Sequence, residues 1–158
     1  MNLFIILKKM SSMNGDFQIS KYNLLNSLKF SETSDYLPLN VVNNEYILTF
    51  IESKIVLLDI NSLSEICSIK EEPTNLYSKC TYILKLKDDR YVLGYGQGDL
   101  KILSINLDLK EMKIDQTMKI DNEYISTIIE LTNDNLLCCC IQRKVTIFKK
   151  NEKGEYDN

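Results

Sequence analysis

Apolar residues along this chain fall into runs of 4 to 8, rich in Ile, Val, Leu and Tyr and bounded by Asn, Asp, Ser, Lys or Gly. Runs of that length and composition predict strands rather than helices. The stretch 82–120 shows the order clearly. Tyr82, Leu84 and Leu86 alternate with Ile83 and Lys85 in a first predicted strand. Lys87-Asp88-Asp89 turns the chain, and Arg90 to Tyr95 is a second strand. That strand is nearly apolar throughout, which predicts burial on both faces. Gln97-Gly98-Asp99 is a second turn. Leu100 to Ile105 is a third strand, and Met112 to Ile120 a fourth, more polar one.

The same order recurs. Segments 38–60, 83–105 and 128–150 align without gaps at a displacement of 45 residues. Leu39, Leu84 and Ile129 share a column, as do Val41, Leu86 and Leu131. Ile47, Val92 and Leu137 share another, followed by Leu48, Leu93 and Cys138, and by Phe50, Tyr95 and Cys140. The set closes with Ile55, Leu100 and Val145, with Leu57, Ile102 and Ile147, and with Leu58, Leu103 and Phe148. Turn residues agree too: Asn43, Asp88 and Asn133 precede Asn44, Asp89 and Asp134. A further half unit lies in front. Phe4 to Leu7 resembles Val145 to Phe148, and Asp16 to Leu25 is read as its fourth strand. Residues 151–158 read as a polar tail, frayed or loosely paired.

Four antiparallel strands every 45 residues make one propeller blade. Over nearly its full length the chain resembles a WD40-type β-propeller, in a divergent copy. Leu58-Asp59 keeps the Asp of the family's Trp-Asp dipeptide, whereas Leu103-Ser104 and Phe148-Lys149 keep neither residue. The Gly-His dipeptide is absent. Asn44, Asp89 and Asp134 match the family's turn between first and second strands, and Gly98-Asp99 is similar to its Asp-Gly turn in reverse. The resemblance implies an all-β fold: a partial β-propeller of four-stranded antiparallel blades, with a half blade at 1–33, blades at 34–78 and 79–123, and an incomplete blade at 124–158. It also implies a scaffold presenting loops to protein partners rather than an enzyme. The loops at one rim carry that expectation, through Glu52, Lys54, Tyr77, Lys79, Gln97, Asp99, Tyr124, Arg143 and Lys144.

Composition narrows the chemistry. There is no His, which removes His-dependent triads, His-ligated metals and imidazole acid–base catalysis. The Cys residues are 67, 80 and the run 138–140, with no CxxC spacing, so they read as reduced thiols packed as small hydrophobes. Gly94-Tyr95-Gly96-Gln97-Gly98 lacks a phosphate-loop pattern. The acid pairs Asp88-Asp89 and Glu71-Glu72 read as solvated turn residues, and Lys149-Lys150 as a solvated strand end. No catalytic, metal or cofactor site is expected. A net charge of −3 argues against direct nucleic-acid binding. The apolar run Leu3 to Leu7 is too short for a membrane span, and with no basic stretch before it and no small-residue cleavage site after it, it does not read as a signal peptide. Reduced thiols place the protein in the cytoplasm or nucleus.

A closed propeller needs at least four blades, so this chain leaves a blade face open. Three arrangements satisfy that face: a larger gene product of which this is a fragment, self-association that completes the ring, or insertion as a subunit into a larger assembly, a ribonucleoprotein among them. Because the chain begins with Met, the reading favours the last two. The function expected is a non-catalytic protein–protein interaction scaffold or assembly subunit.

Overall fold

The computed structural model describes residues 2–4, 27–29, 38–72, 79–120, 123–142 and 144–157. These form strands joined by turns. Strands β1 (Asn2–Phe4) and β2 (Ser27–Lys29) pair antiparallel. The expected strand at Asp16 to Leu25 and the remainder of the Phe4 to Leu7 run lie outside the described residues. The rest of the chain builds three four-stranded antiparallel sheets in sequence order. The first holds β3 (Leu39–Val41), β4 (Tyr46–Ile51), β5 (Lys54–Asp59) and β6 (Glu65–Lys70). The second holds β7 (Cys80–Lys85), β8 (Tyr91–Tyr95), β9 (Asp99–Asn106) and β10 (Glu111–Lys119). The third holds β11 (Ile125–Glu130), β12 (Leu136–Cys140), β13 (Val145–Lys150) and β14 (Tyr156–Asp157).

The sheets stack face to face, with β7 lying against β3 and β11, and β10 against β6. Alternation along β8 shows why. Tyr91, Leu93 and Tyr95 enter the cluster with Leu48, Phe50 and Ile55 of the first sheet. Val92 enters the cluster with Ile125, Ile128, Leu136, Cys138 and Phe148 of the third. All five residues of β8 are buried, as its apolar run predicts. The fourth strand β10 alternates between exposed and half-buried positions for most of its length, as its polar character predicts.

The 45-residue repeat holds in register between the second and third sheets. Tyr91 pairs with Leu103 and Val92 with Ile102, just as Leu136 pairs with Phe148 and Leu137 with Ile147. In the first sheet β4 is displaced by one position. Ile47 pairs with Leu58, so Leu48, opposite Leu57, takes the place that Val92 has in the second sheet. The turns account for the difference. Glu52 and Ser53, both at positive φ (49° and 62°), form a two-residue hairpin. The second sheet instead spends three residues, Gly96 to Gly98, with Gly98 at φ 80°. Because β4 is apolar at both parities, neither register exposes hydrophobic surface.

The tail is more ordered than its polar sequence suggests. Asn151 Oδ1 accepts from the backbone N–H groups of Lys153 (3.0 Å) and Glu155 (3.0 Å), and Gly154 at φ 80° completes the turn. The chain then returns as β14, and Tyr156 is buried at 1% exposure. Gln116 of β10 holds the Tyr156 backbone at both ends, donating to its carbonyl (2.7 Å) and accepting from its N–H (2.9 Å).

Gly94 marks the closest approach of the second and third sheets. A Cβ there would lie 2.9 Å from Ile125 Cγ2 and 3.0 Å from Ile128 Cδ1, both in packed β-branched side chains. Gly94→Ala therefore forces the sheets apart. The expected loss is about 1–3 kcal/mol, read as a lower urea midpoint at unchanged slope. An unchanged midpoint would contradict this packing.

Candidate protein-interaction surface

The third sheet has one face packed and one face bare. Cys138 and Phe148 point into the interface with the second sheet. Their neighbours point the other way. Pairing aligns Ile129, Leu137 and Ile147 in one row and Thr127, Cys139 and Val145 in the next. Ile129, Val145 and Ile147 are 48%, 57% and 46% exposed, and Ile141 beside them is 62% exposed. One repeat earlier, Val92, Leu100 and Ile102 are wholly buried at the positions of Leu137, Val145 and Ile147. The second sheet buries its face under the third. The third sheet's equivalent face is open and carries a row of exposed apolar side chains, which makes it the candidate interaction surface. The outer edge of β13 is open too. β14 pairs only with Lys149 and Lys150, and among the described residues no strand pairs with 145–148 on that side. The repeat columns contain these residues, but exposure was not legible from a column whose members are buried elsewhere.

The covered interfaces show which polar contacts a sheet makes with its neighbour. Thr81 Oγ1, at the bulge of β7, donates across the gap to the Ile125 carbonyl (2.9 Å), with the Gly94 carbonyl of its own sheet at 3.2 Å. Ser126 occupies the same position at the bulge of β11 and donates to the Cys139 carbonyl (3.0 Å), the counterpart of Gly94. On the turn side, the Lys87 ammonium donates to Asp134 (2.8 Å) and to the Leu131 carbonyl (2.8 Å), while its backbone N–H reaches Glu130 (2.9 Å).

Two charged groups depart from the solvated turn expected of them. Glu71 is buried and paired with the Lys101 ammonium, which also lies over the Tyr95 ring. It joins the end of the first sheet to the middle of the second. Asp88 accepts from Arg90 (2.8 Å) and from Lys150 (2.9 Å). Arg90 also donates to the Gly154 carbonyl (2.7 Å), and both cations flank Tyr156. Lys150 is thus part of a clasp, not a solvated strand end. These acids are structural, and sequence proximity alone could not pair them across 30 and 62 residues.

The rim residues read from the sequence do share one end of the sheets. Glu52 sits in the β4–β5 turn, and Gln97 in the β8–β9 turn. Lys54 and Asp99 open β5 and β9, pairing with Glu65 (3.9 Å) and Lys119 (3.5 Å). Gly96 donates to the Lys79 carbonyl (3.1 Å), and Ile141 to the Tyr124 carbonyl (3.0 Å), which brings Lys79 and Tyr124 beside those turns. Lys144 precedes β13 at the same end. Tyr77 and Arg143 lie outside the described residues. Among the described residues no group of His, Cys, Asp and Glu could hold a metal ion, and no helix is long and apolar enough to cross a membrane.

The sequence matches no protein-family model and no curated protein. Solved structures with the same architecture do match. The WD40 β-propeller domain of Doa1 superposes with a TM-score of 0.62 at 14% identity, over 82% of this chain and 42% of that one. The WD40 domain of SCAP from fission yeast matches with a TM-score of 0.53 at 15% identity, over 72% and 30%. The complex of the fission yeast SREBP–SCAP binding domains matches at 0.57 and 14%, over 86% and 40%. The fold is that of a partial WD40-type β-propeller. Its three sheets are blades, and the chain spans less than half the length of these propeller chains.

The Asp88 clasp between the second and third blades generates a pH prediction. Burial pushes the carboxyl up, but the Arg90 guanidinium, the Lys150 ammonium and the Arg90 backbone N–H outweigh it and hold it down at about 2. A carboxyl lowered on folding stabilises above its unfolded value, and that contribution disappears as pH falls through the folded value. The urea midpoint should therefore fall between about pH 4 and pH 2. Asp88→Asn should lower the midpoint at neutral pH and flatten that part of the profile.

Proposed function

We propose that this chain is a non-catalytic protein-interaction subunit that docks a protein partner on the open face of its third blade. One observation carries the reading. Val145 and Ile147 are about half exposed, whereas Leu100 and Ile102, at the same positions of the second blade, are covered completely by the blade that follows. A face whose counterparts are buried one blade earlier, and which stays exposed here, offers an apolar surface on which a protein partner can dock. The structural neighbours support an interaction role in general, and one of them is itself a complex of binding domains. The rim around Glu52, Lys54, Tyr77, Lys79, Gln97, Asp99, Tyr124, Arg143 and Lys144 is a second contact surface in this reading. A cytoplasmic or nuclear setting suits the free thiols.

Native affinity purification tests the reading. The wild-type chain should co-purify with a stoichiometric protein partner. The double variant Val145→Glu, Ile147→Glu should recover at least about tenfold less, since charge placed in a desolvated apolar contact costs several kcal/mol. Both sites are exposed in the isolated chain, so the variant's own urea midpoint should shift by no more than about 0.5 kcal/mol equivalent. A wild-type chain recovered alone at monomer mass would overturn the proposal.

A further inference from the structure

We propose that the seam between the second and third blades is a binding slot for an extended protein segment that carries a Phe or a Tyr. Residues 151–157 are its resident occupant, and a partner segment of that chemistry displaces them. The slot lies on the packed side of the third blade and uses none of the residues of the open face, so the docking reading above stands if this proposal fails.

The first ground is how little of the resident segment is used. β6 pairs along β5 from Lys54 to Leu58, and β10 along β9 from Asp99 to Asn106. β14 pairs with Lys149 and Lys150 only. From 151 to 157 a single side chain is buried, that of Tyr156, and its neighbours Glu155 and Asp157 are exposed. An element held by one buried side chain and a two-residue ladder opens at lower free energy than the blades it lies on.

The second ground is what the slot reads. The Gln116 amide supplies both halves of a strand-like bridge to one residue, donating to the Tyr156 carbonyl and accepting from its N–H. Arg90 donates to the Gly154 carbonyl. All three bonds go to main chain, so none depends on the side chains of the segment. What is read beyond the main chain is one aromatic ring. Tyr156 joins the cluster that holds Val92 and Leu100 of the second blade and Leu136 and Phe148 of the third. The Arg90 guanidinium and the Lys150 ammonium each lie 5.9 Å from its ring centroid, within reach of the cation–π attraction. The Tyr156 hydroxyl is buried with no hydrogen-bond partner among the described residues. It adds nothing to the hold, and a Phe ring suits the slot at least as well.

The third ground is that the slot is shaped without its occupant. Gln116, Arg90 and Lys150 belong to strands of the two blades, and Asp88 accepts from both cations. The ion pairs keep the cations in position when the segment leaves, so an incoming ring meets a preorganised site. A site that reads main chain and one ring does not distinguish the resident from another segment of the same kind.

The test is hydrogen exchange of the wild-type full chain, alone and with a synthetic peptide of residues 151–158 carrying Tyr156→Phe. The tether gives the resident an effective concentration of order mM, so the peptide is supplied at about 5 mM. In the chain alone, amides of 151–157 should exchange at least about tenfold faster than those of β12 and the paired part of β13. The peptide should speed exchange of 151–157 by at least about threefold while β12 stays protected, because it captures the open slot. The same peptide carrying Tyr156→Ala should change nothing. In a second measurement, the full chain carrying Tyr156→Ala should bind the Phe peptide at least about tenfold more tightly than the wild type does, and adding Gln116→Ala should weaken that binding about fivefold. Exchange of 151–157 only together with the blades would overturn the proposal. So would exchange that the Phe peptide leaves unchanged, or that the Phe and Ala peptides change alike. These outcomes are read on the wild-type chain and hold even if the Tyr156→Ala chain does not fold.

Discussion

A sheet whose central strands are apolar on both faces cannot stand alone in water. β4 and β8 carry that property most fully, and the arrangement of the other strands follows from it. Each sheet must be sandwiched, so the sheets stack, and stacking right-twisted sheets around their first strands produces a propeller. The polar contacts are arranged around this requirement. Thr81, Glu71–Lys101, Lys87–Asp134 and Asp88–Arg90–Lys150 each tie one blade to the next. With no His and no Trp, this chain secures its blades by ion pairs that differ at each interface instead of one repeated side-chain network.

The stacking requirement also explains why the third blade carries exposed apolar side chains. It repeats the pattern of the second in register, with Leu137, Val145 and Ile147 where Val92, Leu100 and Ile102 stand. What differs is the neighbour. The apolar columns therefore repeat on the third blade a face that the second blade buries.

Much of this was legible in the sequence, and the exceptions are physical. Strand length, turn residues and the 45-residue period predict the sheets, because burial on alternate faces leaves a pattern of period two. The one-residue displacement of β4 was hidden, since a strand apolar at both parities carries no register signal. The order of the tail was hidden as well. Tyr156 is a single aromatic in a polar stretch, and only Gln116 and Arg90, distant in sequence, show why it is buried. The exposed patch was hidden because a period cannot state where stacking stops. The rim residues were located by homology of position from one blade to the next, which fixes their end of the molecule but not what touches them.

The three consecutive cysteines offer the most direct measurement of the account's central claim. Cys138 and Cys140 point into the covered interface and are buried, and burial pushes the Cys138 thiol up to about 12. Cys139 points out of the open face and is half-buried. Residue-resolved thiol labelling of the purified native chain should therefore modify Cys139 rapidly and leave Cys138 and Cys140 unmodified until the chain unfolds. If Cys138 reacts as fast as Cys139, or if Cys139 is protected in the isolated chain, the third blade does not present the face described and the account is wrong.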